Sequence, residues 1–203
     1  ALTGAASGIG AALRAHLETA GERVIGVDLR GAEVVADLST AAGRAHAIEQ
    51  VLALSDSRLD GLVVCAGLGP QVASHPTIVS VNYFGAAQLL DGLRPALAAG
   101  APSAAVAVSS NSATIVPTAD GPLCAACLAG DEEEARRLAA EADGSTAYAA
   151  SKLALARFVR RNAPRPDWAG AGVRLNAIAP GAALTPLLQE GLDDPLLGQT
   201  IRG

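Results

Sequence analysis

Tyr148-Ala149-Ala150-Ser151-Lys152 sets a phenol and an ammonium four residues apart. On a helix that spacing projects both side chains from one face, one turn apart. An isolated phenol ionises near pH ~10 and is a poor base at neutral pH. A unit charge ~4 Å away at an effective dielectric of ~20 is worth roughly 4 kcal/mol, enough to bring the phenol close to neutral pH, where a proton passes either way. Such a pair suits the interconversion of an alcohol and a carbonyl. Taken alone, the same residues also describe a solvated Tyr/Lys pair on an amphipathic helix, so the assignment rests on the elements around them.

Residues 3–10 read TGAASGIG and lead into an alanine-rich helix expected over 11–20, closed by Gly21. A glycine-rich turn running into a helix brings amide donors and the positive helix end to a pyrophosphate. In this T-G-x-x-x-G-x-G spacing Gly4 permits the tight turn, Gly8 the close approach and Gly10 the helix packing. Residues 23–27 read as a strand ending on Asp28, 18 positions (28 − 10) after Gly10. A carboxylate there can accept from both adenosine ribose hydroxyls and repels a 2′-phosphate, which favours NAD over NADP. Arg30, two residues on, pulls the other way.

A short strand is expected over 33–38, ending at Asp37-Leu38, with Ser39 as N-cap of a helix running to about Leu54. The apolar run 61–65 reads as a strand covered on both faces, followed by Ala66-Gly67, where backbone passes close to a cofactor. A loop is expected over 71–77, a long helix carrying Asn82 over 78–99, and a strand over 104–108. That strand delivers Ser109-Ser110-Asn111 to the carboxyl edge, where open α/β sheets bind ligands. The Tyr/Lys helix is expected over 146–162, stopped by Ala163-Pro164. A strand over 173–179 leads to Pro180-Gly181 and Thr185-Pro186. The alternation predicts an α/β fold, a doubly wound, mostly parallel, Rossmann-like sheet in a single domain over 1–203.

Residues 112–145 break that alternation. From Asp131 onward, acids are followed by bases four residues later, with Asp143-Gly144 as a stop, which reads as an exposed helix. The segment is expected to be an insertion over the mouth of the site, either a lid or an oligomer contact. Only Ala1-Leu2 precede the glycines and the chain has no methionine, so residues before Ala1 are expected to be missing. With no strand after 179, so is the end of the fold.

The net charge of −5 and scattered Lys and Arg lack the basic footprint of a nucleic-acid binder. No run of 18 apolar residues escapes a charge or proline, so no membrane span is expected and the cytoplasm is the expected compartment. Three cysteines, an odd number, argue against a disulfide framework. Cys124 and Cys127 have redox or metal spacing, but no second pair or nearby histidine completes a site, and His16, His46 and His75 are far apart in sequence. No metal is expected; His75 is expected to be a solvated histidine in a loop, with a place at the border of the substrate as the alternative.

The glycine run, Asp28, Cys65-Ala66-Gly67, Asn82, Ser110, Tyr148-x-x-x-Lys152 and Pro180-Gly181 occur in one order. Together they resemble the short-chain dehydrogenase/reductase family over essentially the whole chain. The resemblance is strongest to its bacterial 3α-hydroxysteroid dehydrogenase/carbonyl reductase branch, through EVVADLST, CAGLGP, VSVNYFGA and GVRLNAIAPGA. It implies that Tyr148 is the general acid/base, that Lys152 lowers its pKa and holds the nicotinamide ribose, that Ser110 binds the substrate oxygen, and that Asn82 anchors a water in a proton relay. It places Gly4, Ser7, Gly8, Ile9, Gly10, Asp28, Asp37, Leu38, Ala66, Gly67, Tyr148, Lys152, Pro180, Gly181 and Thr185 at an NAD cofactor.

The implied activity is NAD(H)-dependent interconversion of a secondary alcohol and a ketone, a hydroxysteroid or xenobiotic carbonyl, by a homodimer or homotetramer. A non-catalytic NAD-binding regulatory protein, or a family reductase for quinone, sugar or acyl substrates, are the alternatives. Two departures stand out. Val64-Cys65 replaces the family's Asn-Asn before Ala-Gly, and Ser110 and Tyr148 are 38 positions apart (148 − 110), far more than the family's usual spacing.

Overall fold

The computed structural model describes residues 1–183 together with Thr185 and Gln189. Short apolar runs become parallel strands because helices cover both faces of the sheet. β1 (Leu2–Thr3), β2 (Gly26–Asp28), β3 (Val34–Val35), β4 (Gly61–Val64), β5 (Ser103–Val108) and β6 (Val173–Ile178) form one sheet ordered β3-β2-β1-β4-β5-β6. Every pairing is parallel, as the doubly wound reading requires. Strand order reverses at β1 and β4, so the crevice beyond their carboxyl ends is the natural ligand site. Register puts Thr3 beside both Val27 and Val64. The glycine run, Asp28 and Ala66-Gly67 therefore all leave the sheet at one edge.

The helices are α1 (Gly8–Thr19), α2 (Ala41–Leu54), α3 (His75–Val79), α4 (Ala86–Ala99), α5 (Ser112–Ile115), α6 (Pro122–Ala129), α7 (Glu132–Glu141) and α8 (Gly144–Asn162). Three details depart from expectation. The N-cap of α2 is Thr40 rather than Ser39, its side chain accepting the Gly43 N–H. The loop expected over 71–77 is helical from His75, with Pro76 in the first turn, where its missing N–H costs nothing. The long helix expected over 78–99 is interrupted by π-helical turns at Ser80–Gly85, and Asn82 sits within them.

Residues 112–145 are built into the body of the molecule. Ala135 and Ala139, one turn apart on α7, are fully buried. Asp131 caps that helix by accepting the Glu134 N–H, and three glutamates in its first turn suit the positive helix end. Leu123, Cys124, Ala126 and Cys127 of α6 belong to the same apolar core as the sheet residues. Trp168, the chain's single tryptophan, is 1% exposed within that core. No described helix is long and apolar enough to cross a membrane.

Candidate active site

Gly4 has φ +70, and a Cβ there would lie 2.9 Å from the Ala66 backbone, so only glycine lets β1 leave past the end of β4. A Cβ on Gly10 would overlap the Gly4 carbonyl. The turn is pinned on two sides. Thr3 Oγ1 accepts the Cys65 and Ala66 N–H groups, each at 3.0 Å, and Asp28 Oδ2 accepts the Ala6 N–H at 2.9 Å. Asp28 Oδ1 takes the Leu29 N–H at 2.7 Å, which leaves each carboxylate oxygen able to accept again. Ser7 stands at the N-cap of α1 in extended conformation with no side-chain cap bond. The first amides of α1, from Gly8 and Ile9 to Gly10, therefore open at its positive end. Thr185 packs against Gly8; Pro186, the other half of the expected Thr185-Pro186 step, lies outside the described residues.

Leu38 is buried, lies against Gly85 and follows Asp37, whose carboxylate accepts the Ser39 N–H. Pro180 is joined to the end of β5 through its carbonyl, which accepts the Asn111 N–H at 3.1 Å. Gly181 follows beside Asn111.

Helix α8 carries Tyr148, Ser151 and Lys152. The Ser110 side chain lies beside the Tyr148 hydroxyl, near enough to pull the phenol's pKa down, while its Oγ donates to Asn111 Oδ1 at 3.4 Å. Lys152 is 4% exposed; its Nζ donates to the Val108 carbonyl at 2.8 Å and lies 5.9 Å from the centre of the Tyr148 ring. Gly67 fits between two polar groups, since a Cβ there would come within 3.2 Å of Lys152 Nζ and 3.3 Å of Asn82 Oδ1. Asn82 is fully buried. Its Oδ1 accepts the Leu68 N–H at 2.8 Å, and its Nδ2 donates to the Leu68 carbonyl at 3.0 Å and to Ser151 Oγ at 3.3 Å. The side chain thus holds the chain leaving β4 onto α8. Ser109 turns the other way and donates to the Lys152 carbonyl at 2.8 Å, so Ser110 is the serine that faces the phenol.

One electrostatic expectation is corrected. Burial pushes the Tyr148 phenol up, opposed by the hydrogen bond from Ser110. The Lys152 ammonium, 5.9 Å from the ring centre, is not among the groups that move the phenol. Lys152 itself is pushed down to about 8 by burial, with Cys65 acting the other way. His75 is also corrected: it is partly buried in α3 and its Nδ1 is 2.8 Å from the Ala142 carbonyl, a link between elements rather than a solvated loop residue.

Sequence reasoning missed three side chains here. Thr3 ties β1 to β4, Ser151 supports Asn82, and Ser112 contacts Ser110 through both its N–H and its hydroxyl, at 3.2 and 3.0 Å. Thr3 opens the glycine motif and Ser151 lies inside the Tyr/Lys spacing, so both were visible in place though not in role. Ser112 carried no signal beyond its nearness to Ser110.

The residues present fit a dinucleotide. A buried ammonium with three donors has one acceptor in place, Val108. Gly67 keeps a Cβ out of the gap beside Lys152 Nζ and Asn82 Oδ1, a strand-end carboxylate has lone pairs to spare, and the amides at the start of α1 face the same edge.

The family model described as the NAD dependent epimerase/dehydratase family matches residues 1–182. The chain is 52% identical to the 3-alpha-hydroxysteroid dehydrogenase/carbonyl reductase of Comamonas testosteroni over 203 residues, 98% of this chain and 78% of that protein. The crystal structure of the 3-alpha-hydroxysteroid dehydrogenase from Pseudomonas sp. B-0831 complexed with NADH matches with TM-score 0.95 and 50% identity, covering 98% of this chain and 78% of that one. An oxidoreductase of the short chain dehydrogenase/reductase family from Brucella ovis, in complex with a partially ordered NAD, matches with TM-score 0.66 and 27% identity over 99% and 86% of the two chains.

Proposed function

The chain belongs to the short-chain dehydrogenase/reductase family, and from that membership we propose that it is an NAD(H)-dependent oxidoreductase interconverting a secondary alcohol and a ketone. The observation that carries this reading is the placing of Ser110 beside the Tyr148 phenol at the carboxyl edge of the sheet, with a buried Lys152 whose Nζ lies 5.9 Å from the ring centre.

Gly4, Ser7, Gly8, Ile9 and Gly10 would hold the cofactor's pyrophosphate and Asp28 its adenosine ribose. Asp37 and Leu38 would face the adenine, and Ala66, Gly67, Lys152, Pro180, Gly181 and Thr185 the nicotinamide half. A nicotinamide, when bound, supplies the hydride acceptor or donor for the carbinol carbon. In reduction, Ser110 donates a hydrogen bond to the carbonyl oxygen while Tyr148 Oη gives that oxygen its proton; in oxidation Tyr148 Oη takes the proton back. The raised phenol keeps its proton at neutral pH, where it is available to a carbonyl oxygen. Lys152 and the donation from Ser110 stabilise the phenolate left behind. Asn82 fixes Leu68 at the rim and anchors the water that returns the proton to solvent.

Exposed Ile115 and Ile178, near the edge from which Ser110 emerges, favour an apolar substrate of the hydroxysteroid or xenobiotic carbonyl class. We take the protein to work in the cytoplasm as a homodimer or homotetramer. Quinone, sugar and acyl substrates belong in the same test panel.

The test is turnover with NAD(H) and NADP(H) across steroids and small ketones, repeated with Tyr148→Phe. The variant is expected to lose roughly 10²- to 10⁴-fold in kcat while still quenching on NADH titration. Retention of most activity would remove the assignment.

A further inference from the structure

Arg44, on α2, is 1% exposed, and its guanidinium is fixed on three sides. Nη1 donates to the Leu38 carbonyl at 3.2 Å, and Nε donates to Gln88 Oε1 at 2.7 Å. Opposite these, the Glu132 carboxylate accepts twice, Oε1 from Nη1 at 3.1 Å and Oε2 from Nη2 at 2.5 Å. The same Oε1 accepts the Ser80 hydroxyl at 2.9 Å, and Ser80 opens the π-helical turns that contain Asn82. Leu38 is backed by those turns, where a Cβ on Gly85 would come within 3.3 Å of its side chain and 3.4 Å of its carbonyl.

A buried guanidinium that loses its carboxylate is left uncompensated and strongly disfavoured. Here the carboxylate comes from the inserted segment, 88 residues along the chain. Residues 112–145 therefore do more than fill space, because their first long helix holds the arginine that holds the Leu38 carbonyl. We infer that Glu132 is a positioning residue for the adenosine end of the cofactor cleft, the inserted helix bracing the Asp37-Leu38 shelf through Arg44. This rests on the NAD reading above, with Asp37 and Leu38 at the adenine.

The test uses the full chain and two probes, NADH by fluorescence titration and adenosine 5′-monophosphate by displacement of NADH. Glu132→Gln keeps the side chain's shape but leaves Arg44 without a counter-charge. It is expected to weaken NADH and adenosine monophosphate by the same factor, about tenfold, with kcat at saturating NADH within about twofold. Glu132→Asp should recover much of the loss. Arg44→Lys keeps a charge pair but loses the fork that reaches Leu38, and should show the same selective weakening if Glu132→Gln folds poorly. Unchanged affinity for adenosine monophosphate in these variants would overturn the inference. So would kcat and NADH affinity falling together in a chain that melts early, since that marks a general loosening. An unaltered protein that fails to bind NADH would overturn the cofactor reading, and this inference with it.

Discussion

Ser110 Oγ accepts from the Ser112 N–H at 3.2 Å and from the Ser112 hydroxyl at 3.0 Å. With both lone pairs occupied, its own proton is committed to donation, shared at rest between Asn111 Oδ1, at 3.4 Å, and the Tyr148 phenol, and turned toward a substrate oxygen during turnover. Ser112→Ala frees one lone pair at the cost of a hydrogen bond worth about 1 kcal/mol. It is expected to lower kcat about fivefold and to move the acidic limb of alcohol oxidation to higher pH, because donation from Ser110 holds the phenol down. Ser112→Thr should restore both, and an unshifted pH profile in the alanine variant would count against the role.

Lys152 gives a second prediction, with its sign set by burial. Its pKa falls from 10.5 to about 8 on folding, so between those values the unfolded chain holds a proton that the folded chain has released. Stability contributed by this group therefore rises with pH across that window, and below it the buried charge exerts its full penalty. Lys152→Met should gain most over the unaltered protein below pH 8. That gain should shrink by about 3 kcal/mol on approaching pH 10.5, as measured by urea denaturation at stepped pH.

Among the elements, the glycine turn was readable because backbone sterics act locally. Gly4 and Gly10 are glycines for reasons that two or three neighbours settle, a positive φ at one and the Gly4 carbonyl against the other. Gly10→Ala is accordingly expected to cost about 1–3 kcal/mol and to weaken NADH binding, read by thermal melting and by titration. The start of α3 was also within reach, since Ser74 and Pro76 stand where an N-cap and a first-turn proline belong. The π-helical turns were not. Residues 78–99 keep a helical pattern throughout, and the wider turn at Ser80–Gly85 shows only in hydrogen bonds that the pattern does not encode.

Across the whole molecule, the sheet and the convergence of Asn82, Ser110, Tyr148 and Lys152 could be anticipated, since each lies at the end of a recognisable strand or on a recognisable helix face. The attachment of residues 112–145 could not be. Glu132 looks like one of several surface acids, and only its distant partner Arg44 gives it meaning. The phenol's upward shift was hidden for the same reason, because burial is a property of the assembled body. Cofactor choice also belongs at this scale, as Asp28 receives the Ala6 N–H and so ties the preference to the glycine turn. Asp28→Ala is expected to raise the ratio of NADPH to NADH turnover, as kcat/KM, by about tenfold, with some loss for both cofactors as the turn loosens.

The core placement of Trp168 makes the protein its own optical probe. A lone indole shielded from water emits toward the blue, and exposing it on denaturation moves that emission to the red. Each variant's melt can thus be followed without a dye, in a spectrum to which no other tryptophan adds.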